Sequence, residues 1–372
     1  ARAGVPCAVK VHGSALEYVV KPHPERFLPW AQEGLANARA VLVGSLHTGA
    51  SLWAAVGGDV QARTRLGPPG VDVEQFAPRE PAAGAEGLRA LARRLQEAAP
   101  APVGGDAFAL DLPAAGRALA TVDPEADRLV AYTGKLIVSK GVDLLLAAWP
   151  LVLASVPDAR LVVVGFGAYR DGLEALLAAL AVGDLPAARE IAERGREIEG
   201  GPRAPLRHLL TFLGSEAASS DAYRAAAARL PERVVLTGRL EHAELAEILP
   251  ACEAQVVPST FPEAFGMVAA EAAACGTLPV SAGHSGLAEV SRALAAAVPD
   301  EAAALLSFDV GPSSVPDLAA RLVAWLQAPA ELRAATREAL VATARERFSW
   351  EGVAEGVIAA AQGRLDALPE PA

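Results

Sequence analysis

Apolar and polar positions fall into alternating blocks along this chain. A short apolar run from Cys7 to Val11 reads as a strand that ends at His12-Gly13. Residues Glu25 to Asn37 read as a helix, Ala40 to Gly44 as a second buried strand, and His47 to Val56 as a second helix. That alternation is the order of a parallel α/β unit. Gly67-Pro68-Pro69-Gly70 closes it, followed by Val71-Asp72 and Phe76.

The pattern changes at Pro78, where Pro, Ala, Gly and charged residues dominate as far as Arg128, interrupted by one predicted helix from Gly87 to Ala98. A second α/β region follows, with strands expected at Leu129 to Tyr132, Arg160 to Val164, Val234 to Leu236, Ala254 to Val257 and Leu278 to Ser281. Each is trailed by a helical pattern, the signature of a doubly wound sheet. Between Ala168 and Arg233 lies a charged, alanine-rich helical insertion with a Gly200-Gly201-Pro202 break. The expected organisation is therefore a partial first domain over residues 1–77, a linker or insertion over 78–128, a second domain over 129–347 carrying the insertion 168–233, and a closing segment over 348–372.

Composition narrows the function classes. The 372 residues are 52% hydrophobic but only 5% aromatic, so the apolar content is largely Ala and Leu, which favours helices packed on other elements. A net charge of −11 leaves no global basic field for nucleic acid or an anionic membrane, so membrane association is peripheral at most. Three cysteines, Cys7, Cys252 and Cys275, have no C-x-x-C spacing and predict neither a disulfide framework nor a zinc site. The apolar stretch Leu144 to Val156 is too short to span a bilayer and contains Pro150. A cytoplasmic protein is expected, and the lack of an initiator Met suggests a fragment.

Two constellations carry candidate chemistry. Lysine occurs at only four positions, and two of them, Lys135 and Lys140, share the turn after the Leu129 strand. Cations at the carboxyl end of a parallel strand suit a diphosphate. A Walker A loop is excluded, because it needs Gly at the position of Leu129 and Ser or Thr at that of Leu136. Two solvated lysines would read the same, and the residues alone leave both readings open. The second constellation runs from Pro258 to Pro279: a strand enters a Pro-bounded loop, and a helix starts near Gly266 with its free amides exposed. Glu263 precedes that helix and Glu271 lies one turn inside it, so two carboxylates flank a potential anion site. A dipole-favouring glutamate and a solvated helix glutamate are the plain alternative.

The motifs Gly134-Lys-Leu…Lys140-Gly-Val-Asp, Val164-Gly-Phe-Gly, Leu236-Thr-Gly-Arg-Leu and Pro-Ser-x-x-Pro-Glu-Ala-Phe-Gly-x-Val-x-x-Glu-Ala-x-Ala-Cys-Gly resemble the retaining, nucleotide-sugar-dependent glycosyltransferases of the GT-B fold, the group that includes phosphatidylinositol mannosyltransferases and sucrose-phosphate synthases. The resemblance covers Leu129 to Gly167 and Val234 to Val290 well and residues 8–76 more loosely. It implies an α/β architecture of two Rossmann-like doubly wound domains facing a cleft, the first truncated at its N-terminus, with Phe348-Ser-Trp350 opening the helix that crosses back. It implies transfer of a sugar from a nucleotide diphosphate with no dedicated nucleophile, no metal and no cofactor besides the donor. Carried onto this sequence, it assigns Lys135 and Lys140 to the diphosphate and Glu271 to the ribose. Glu263 with the Phe265-Gly266-Met267-Val268 backbone falls to the sugar and phosphate, Arg239-Leu240 to the base, and His12, Glu263 and Lys140 to the reacting centre.

The sequence departs from that family in places. Lys135 stands where the family usually has Arg, and Gly283-His284-Ser285-Gly286 replaces its paired glycines. Nothing supplies the glycine-rich loop that opens a complete first domain, and the insertion has no counterpart. A nucleotide-sugar-binding remnant without catalysis, or an epimerase on the same fold, are the competing readings. His23, His47, His208 and His242 show no ligand spacing and are expected at the surface.

Overall fold

A computed structural model describes residues 7–99 and 110–371. Residues 1–6, and 100–109 within the expected linker, lie outside the described residues. Among the described residues the strands form two all-parallel sheets, one of three strands and one of six. The first holds β1 (Ala8–Val11), β2 (Ala40–Val43) and β3 (Thr64–Leu66), in that order, with α1 (Pro24–Ala36) and α2 (Leu46–Val56) as its connections. Four apolar residues bury β2 on both faces, as expected of a central parallel strand. Strand β3 was not legible, because Thr64-Arg65-Leu66 offers a single apolar residue. It forms because β2 presents a free edge, with Val41 paired to Thr64 and Val43 to Leu66.

The described part of residues 78–128 is not a bare linker. It folds α3 (Pro81–Gln96) and α4 (Leu112–Leu119), and Leu88, Leu91, Leu95 and Leu119 enter the core of the second domain. The Pro and Gly content that suggests a connection has local uses instead. Pro81 and Pro113 sit at helix starts, where a missing N–H costs nothing. Gly116 lets α4 approach α3, since a Cβ there would lie 2.8 Å from Ala92 O.

The second sheet begins with β4 (Arg128–Lys135), α5 (Val142–Ser155) and β5 (Ala159–Phe166). The insertion follows as α6 (Arg170–Ala181), α7 (Leu185–Arg194), α8 (Arg207–Leu213), α9 (Glu216–Ser219), α10 (Asp221–Ala227) and α11 (Leu230–Arg233). It is packed rather than appended: Leu209, Leu213 and Leu230 are fully buried, and the Tyr223 hydroxyl donates to Ala147 O of α5 at 2.9 Å. Then come β6 (Val234–Gly238), α12 (His242–Ile248), β7 (Ala254–Val257), α13 (Met267–Ala274), β8 (Leu278–Ala282), α14 (Ser285–Ala295), α15 (Asp300–Ala303), β9 (Ser307–Phe308) and α16 (Ser314–Leu326). The strand order is β6-β5-β4-β7-β8-β9. Chain order therefore reverses between β4 and β7, and in such sheets a crevice opens at that point, outside the carboxyl ends of the strands.

Helix α17 (Ala330–Phe348) leads into α18 (Trp350–Gln362), which returns to the first sheet. There Ala360 packs on Ala40 and Leu42, Pro369 O accepts from Leu66 N at 2.8 Å, and Leu365 O accepts from Arg65 Nε at 3.0 Å. Cys7, Cys252 and Cys275 are free. No helix among the described residues is long and apolar enough to cross a membrane.

Candidate functional site

Two loops meet at the reversal point. The one after β4 makes a single turn at Val138–Lys140 and passes through Gly141, whose left-handed backbone (φ 65°, ψ 22°) only glycine adopts freely. A Cβ at Gly141 would fall onto Pro258 O of the loop after β7, and Ser139 O accepts from Thr260 N at 2.9 Å. The two loops are thus stitched together, which carries Lys140 to Glu263: the ammonium donates to Glu263 Oε1, and the Ser259 hydroxyl donates to the same oxygen at 2.6 Å.

The backbone of Glu263 is fixed as well. Its N–H donates to Ser285 Oγ at 2.8 Å and its carbonyl accepts from Gly286 N at 2.9 Å. The His284 ring bridges this cluster, with Nε2 2.8 Å from Ser259 O and Nδ1 3.0 Å from Ser285 Oγ. An Nε2-protonated ring satisfies both contacts, donating to the carbonyl and accepting from the hydroxyl. These bonds hold Ser285 at φ 52°, an unusual conformation for a residue with a side chain.

Beside Glu263, α13 starts at Gly266 with no side-chain cap, and its first intrahelical bond is Ala270 N to Gly266 O. The amides of Met267, Val268 and Ala269 therefore precede the ladder, at the positive end of the helix. Glu271, one turn in, is 4% exposed, and burial raises its carboxyl above the usual carboxylate range, partly offset by His242 with Nε2 at 3.7 Å. His242 opens α12 after the exit loop of β6, edge-on to Phe76, two residues beyond the buried Leu240. Arg239 sits over the Phe166 ring at 5.1 Å and pairs with Glu241 at 2.8 Å.

Across the crevice, exposed His12 at the end of β1 shares a cavity of about 150 Å³ with Glu17, Tyr18, His47 and Glu263. The structure thus brings His12, Lys140 and Glu263 together, and sets Glu271, Arg239 and Leu240 apart on the β6 side. His47, expected at the surface, lines the interdomain cavity because α2 starts beside the Glu263 loop. His242 is exposed but touches Glu271. Lys135 is exposed at the end of β4, and the Phe265 ring packs edge-on to Phe348, 5.7 Å away. A larger open cleft of about 570 Å³ runs along β6 at Asp127, Arg160 and Arg233. Its charges satisfy one another, with Asp127 3.2 Å from Arg160 and 2.8 Å from Arg233.

Residues 208–340 match the family of Glycosyl transferases group 1. Over 252 residues the chain is 30% identical to the D-inositol 3-phosphate glycosyltransferase of Segniliparus rotundus, covering 68% of this chain and 43% of that protein. Among solved structures, sucrose-phosphate synthase from Thermosynechococcus elongatus superposes on 98% of this chain and 70% of its own, at a TM-score of 0.57 and 22% identity. Anabaena HepE in complex with UDP and glucose covers 95% of this chain and 70% of its own, with a TM-score of 0.54 and 19% identity. The fold is GT-B. The chain spans less than half the length of its Segniliparus rotundus relative.

Within this glycosyl transferases group 1 region, sequence reasoning missed the hydrogen-bonding roles of Ser259, His284 and Ser285. The bonds that join the two loops, Ser285 to Glu263 and His284 to Ser259, span 22 and 25 residues in sequence, so periodicity carries no trace of them. The one available signal is the Gly283-His284-Ser285-Gly286 run itself. Gly286 is obligatory there, since a Cβ would lie 2.7 Å from the Ala264 backbone.

Proposed function

We propose that this chain binds a nucleotide-diphosphate sugar in the crevice between β4 and β7 and transfers the sugar, with retention and without a metal, to a hydroxyl acceptor on the first-domain side. The observation that carries this is the Lys140–Glu263 pair beside the uncapped start of α13. A diphosphate placed there takes the ammonium and the helix amides, and Glu263 is released to accept sugar hydroxyls. Each unit charge at about 4 Å is worth about 4 kcal/mol at an effective dielectric near 20, and this stabilises the departing diphosphate where its charge develops. Lys135 adds a second cation at the crevice mouth, though as a point charge it lacks a bidentate grip. Glu271 accepts the ribose hydroxyls, while Arg239 and Leu240 border the base. His12 faces the reacting sugar from the opposite wall. UDP and glucose in the HepE complex, and a cyclitol phosphate in the name of the Segniliparus rotundus relative, support a nucleotide sugar and a hydroxyl acceptor as the substrate classes.

The two glutamates provide the test. A ribose contact is equally present in the ground and transition states, so Glu271→Ala should weaken nucleoside diphosphate and nucleotide sugar alike by about tenfold to a hundredfold. Glu263→Ala should leave the free diphosphate bound within a few-fold and weaken only the sugar conjugate. Calorimetric titration of both variants with UDP, GDP, ADP and their sugar conjugates checks this. Equal effects on both ligands in both variants would remove the assignment.

A further inference from the structure

The N-terminus of α2 is completed by the other domain. Ser45 caps Thr48 N within the helix, at 3.2 Å, but the two remaining first-turn amides, Leu46 N and His47 N, donate to Glu289 Oε2 and Oε1 at 2.8 and 3.0 Å. Glu289 lies on α14, more than 240 residues away in sequence. One carboxylate thus spans both half-buried amides at the positive end of a helix, where charge, dipole and hydrogen bonding act together. The same helix holds the donor loop: Ser285 and Gly286 bond the backbone of Glu263 one turn before Glu289 grips α2.

The rest of the seam gathers on that loop. Thr48 Oγ1 donates to Ala264 O at 3.3 Å, the Tyr18 and Phe261 rings stack at 5.9 Å, and a Cβ on Gly13 would lie 3.2 Å from Ala264 Cβ. Only about 150 Å³ remains between His12 and Glu263, below the 300 Å³ or more of ordinary ligand sites, and Lys140 is already bound to Glu263. A ligand reaching Glu263 from the first-domain side therefore requires this seam to part.

We infer that Glu289 is a positioning residue, an interdomain latch that sets the register of the first domain on the donor loop and stabilises the docked arrangement of the two domains. While α2 is docked, the carboxylate is bonded to two helix amides. Parting the domains returns the carboxylate and two helix amides to water. The domain arrangement can be measured without donor or acceptor, so the test is independent of the proposed transferase reading.

The experiment is a spin-label distance measurement on the full chain without ligand. Exposed Glu25→Cys in the first domain and Glu301→Cys in the second are labelled in a Cys7→Ser background, since Cys252 and Cys275 are buried. With Glu289 intact, a single narrow distribution is expected. Glu289→Ala should move the open-to-closed ratio by about tenfold or more, the scale of a charged hydrogen bond, and appear as a longer, broader distribution. Glu289→Gln keeps one acceptor oxygen and should fall between the two. Arg292→Ala, on the same helix but with a side chain that donates to Ala288 O within that helix, should leave the distribution narrow. Identical distributions for wild type and both Glu289 variants would overturn the latch, as would equal broadening by Arg292→Ala. A wild type already broad would overturn it too.

Discussion

Asp143 carries a carboxyl whose charge burial makes costly. It sits in the first turn of α5, 3% exposed, accepting hydrogen bonds from its own amide and that of Leu144, and burial nevertheless pushes its carboxyl up to about 7. In the unfolded chain the same group ionises near 4. Between about pH 4 and 7 the unfolded state therefore loses this proton before the folded state does, and stability falls as pH rises. At about 1.4 kcal/mol per pH unit the loss is a few kcal/mol at most. Asp143→Asn keeps an acceptor and removes the titration, so the variant should gain on the wild type as pH rises from 4.5 to 7.5. Denaturant unfolding across that range measures the difference, and a pH-independent gap between the two proteins would contradict the assignment. Asp143 was legible only as part of a motif; that it is buried follows from α5 lying inside the second core.

At the scale of elements, the insertion has an assignable task. The turn after α7 carries Glu199, whose Oε2 accepts from Val138 N at 2.9 Å while Arg196 holds Oε1 at 3.2 Å. This braces the turn that presents Lys140. Removing the carboxylate leaves a half-buried amide unsatisfied, at a cost of about 1 to 3 kcal/mol. In Glu199→Ala, amide exchange at residues 136–141 should accelerate by tenfold or more while β4 and β5 keep their protection. Uniform acceleration across the sheet would instead mean a general loss of stability. The insertion's helices were readable from their Ala and Leu spacing, but the brace was not, because it joins two turns 61 residues apart.

For the whole molecule, charge distribution matters more than net charge. A chain of −11 repels anions at long range, yet it places Lys135, Lys140 and an open helix end at one crevice. On the proposed reading these groups supply the positive charge for the diphosphate, so nucleoside diphosphate affinity should be unchanged within about twofold between buffer with EDTA and buffer with millimolar magnesium. A loss of tenfold or more in EDTA would show that a metal supplies part of the charge. The GT-B fold itself joins two parallel sheets through α18, which buries Ala40 and Leu42 of the first.

The sequence by itself determined the parallel α/β class, most strands of the second sheet, and the two loops bearing Lys140 and Glu263. These follow from local apolar runs and from glycines whose backbone has one use, as at Gly141. Strand β3 and the cap on α2 had no local signature, because a polar tripeptide becomes a strand only beside a free edge and a glutamate becomes a cap only where another domain ends a helix. Tertiary structure alone decided that α3 and α4 contribute to the core of the second domain, that His47 faces the cleft, and that Lys140 rests on Glu263. Each of these depends on which surfaces meet, and a pattern read along one chain carries no information about its neighbours across a cleft.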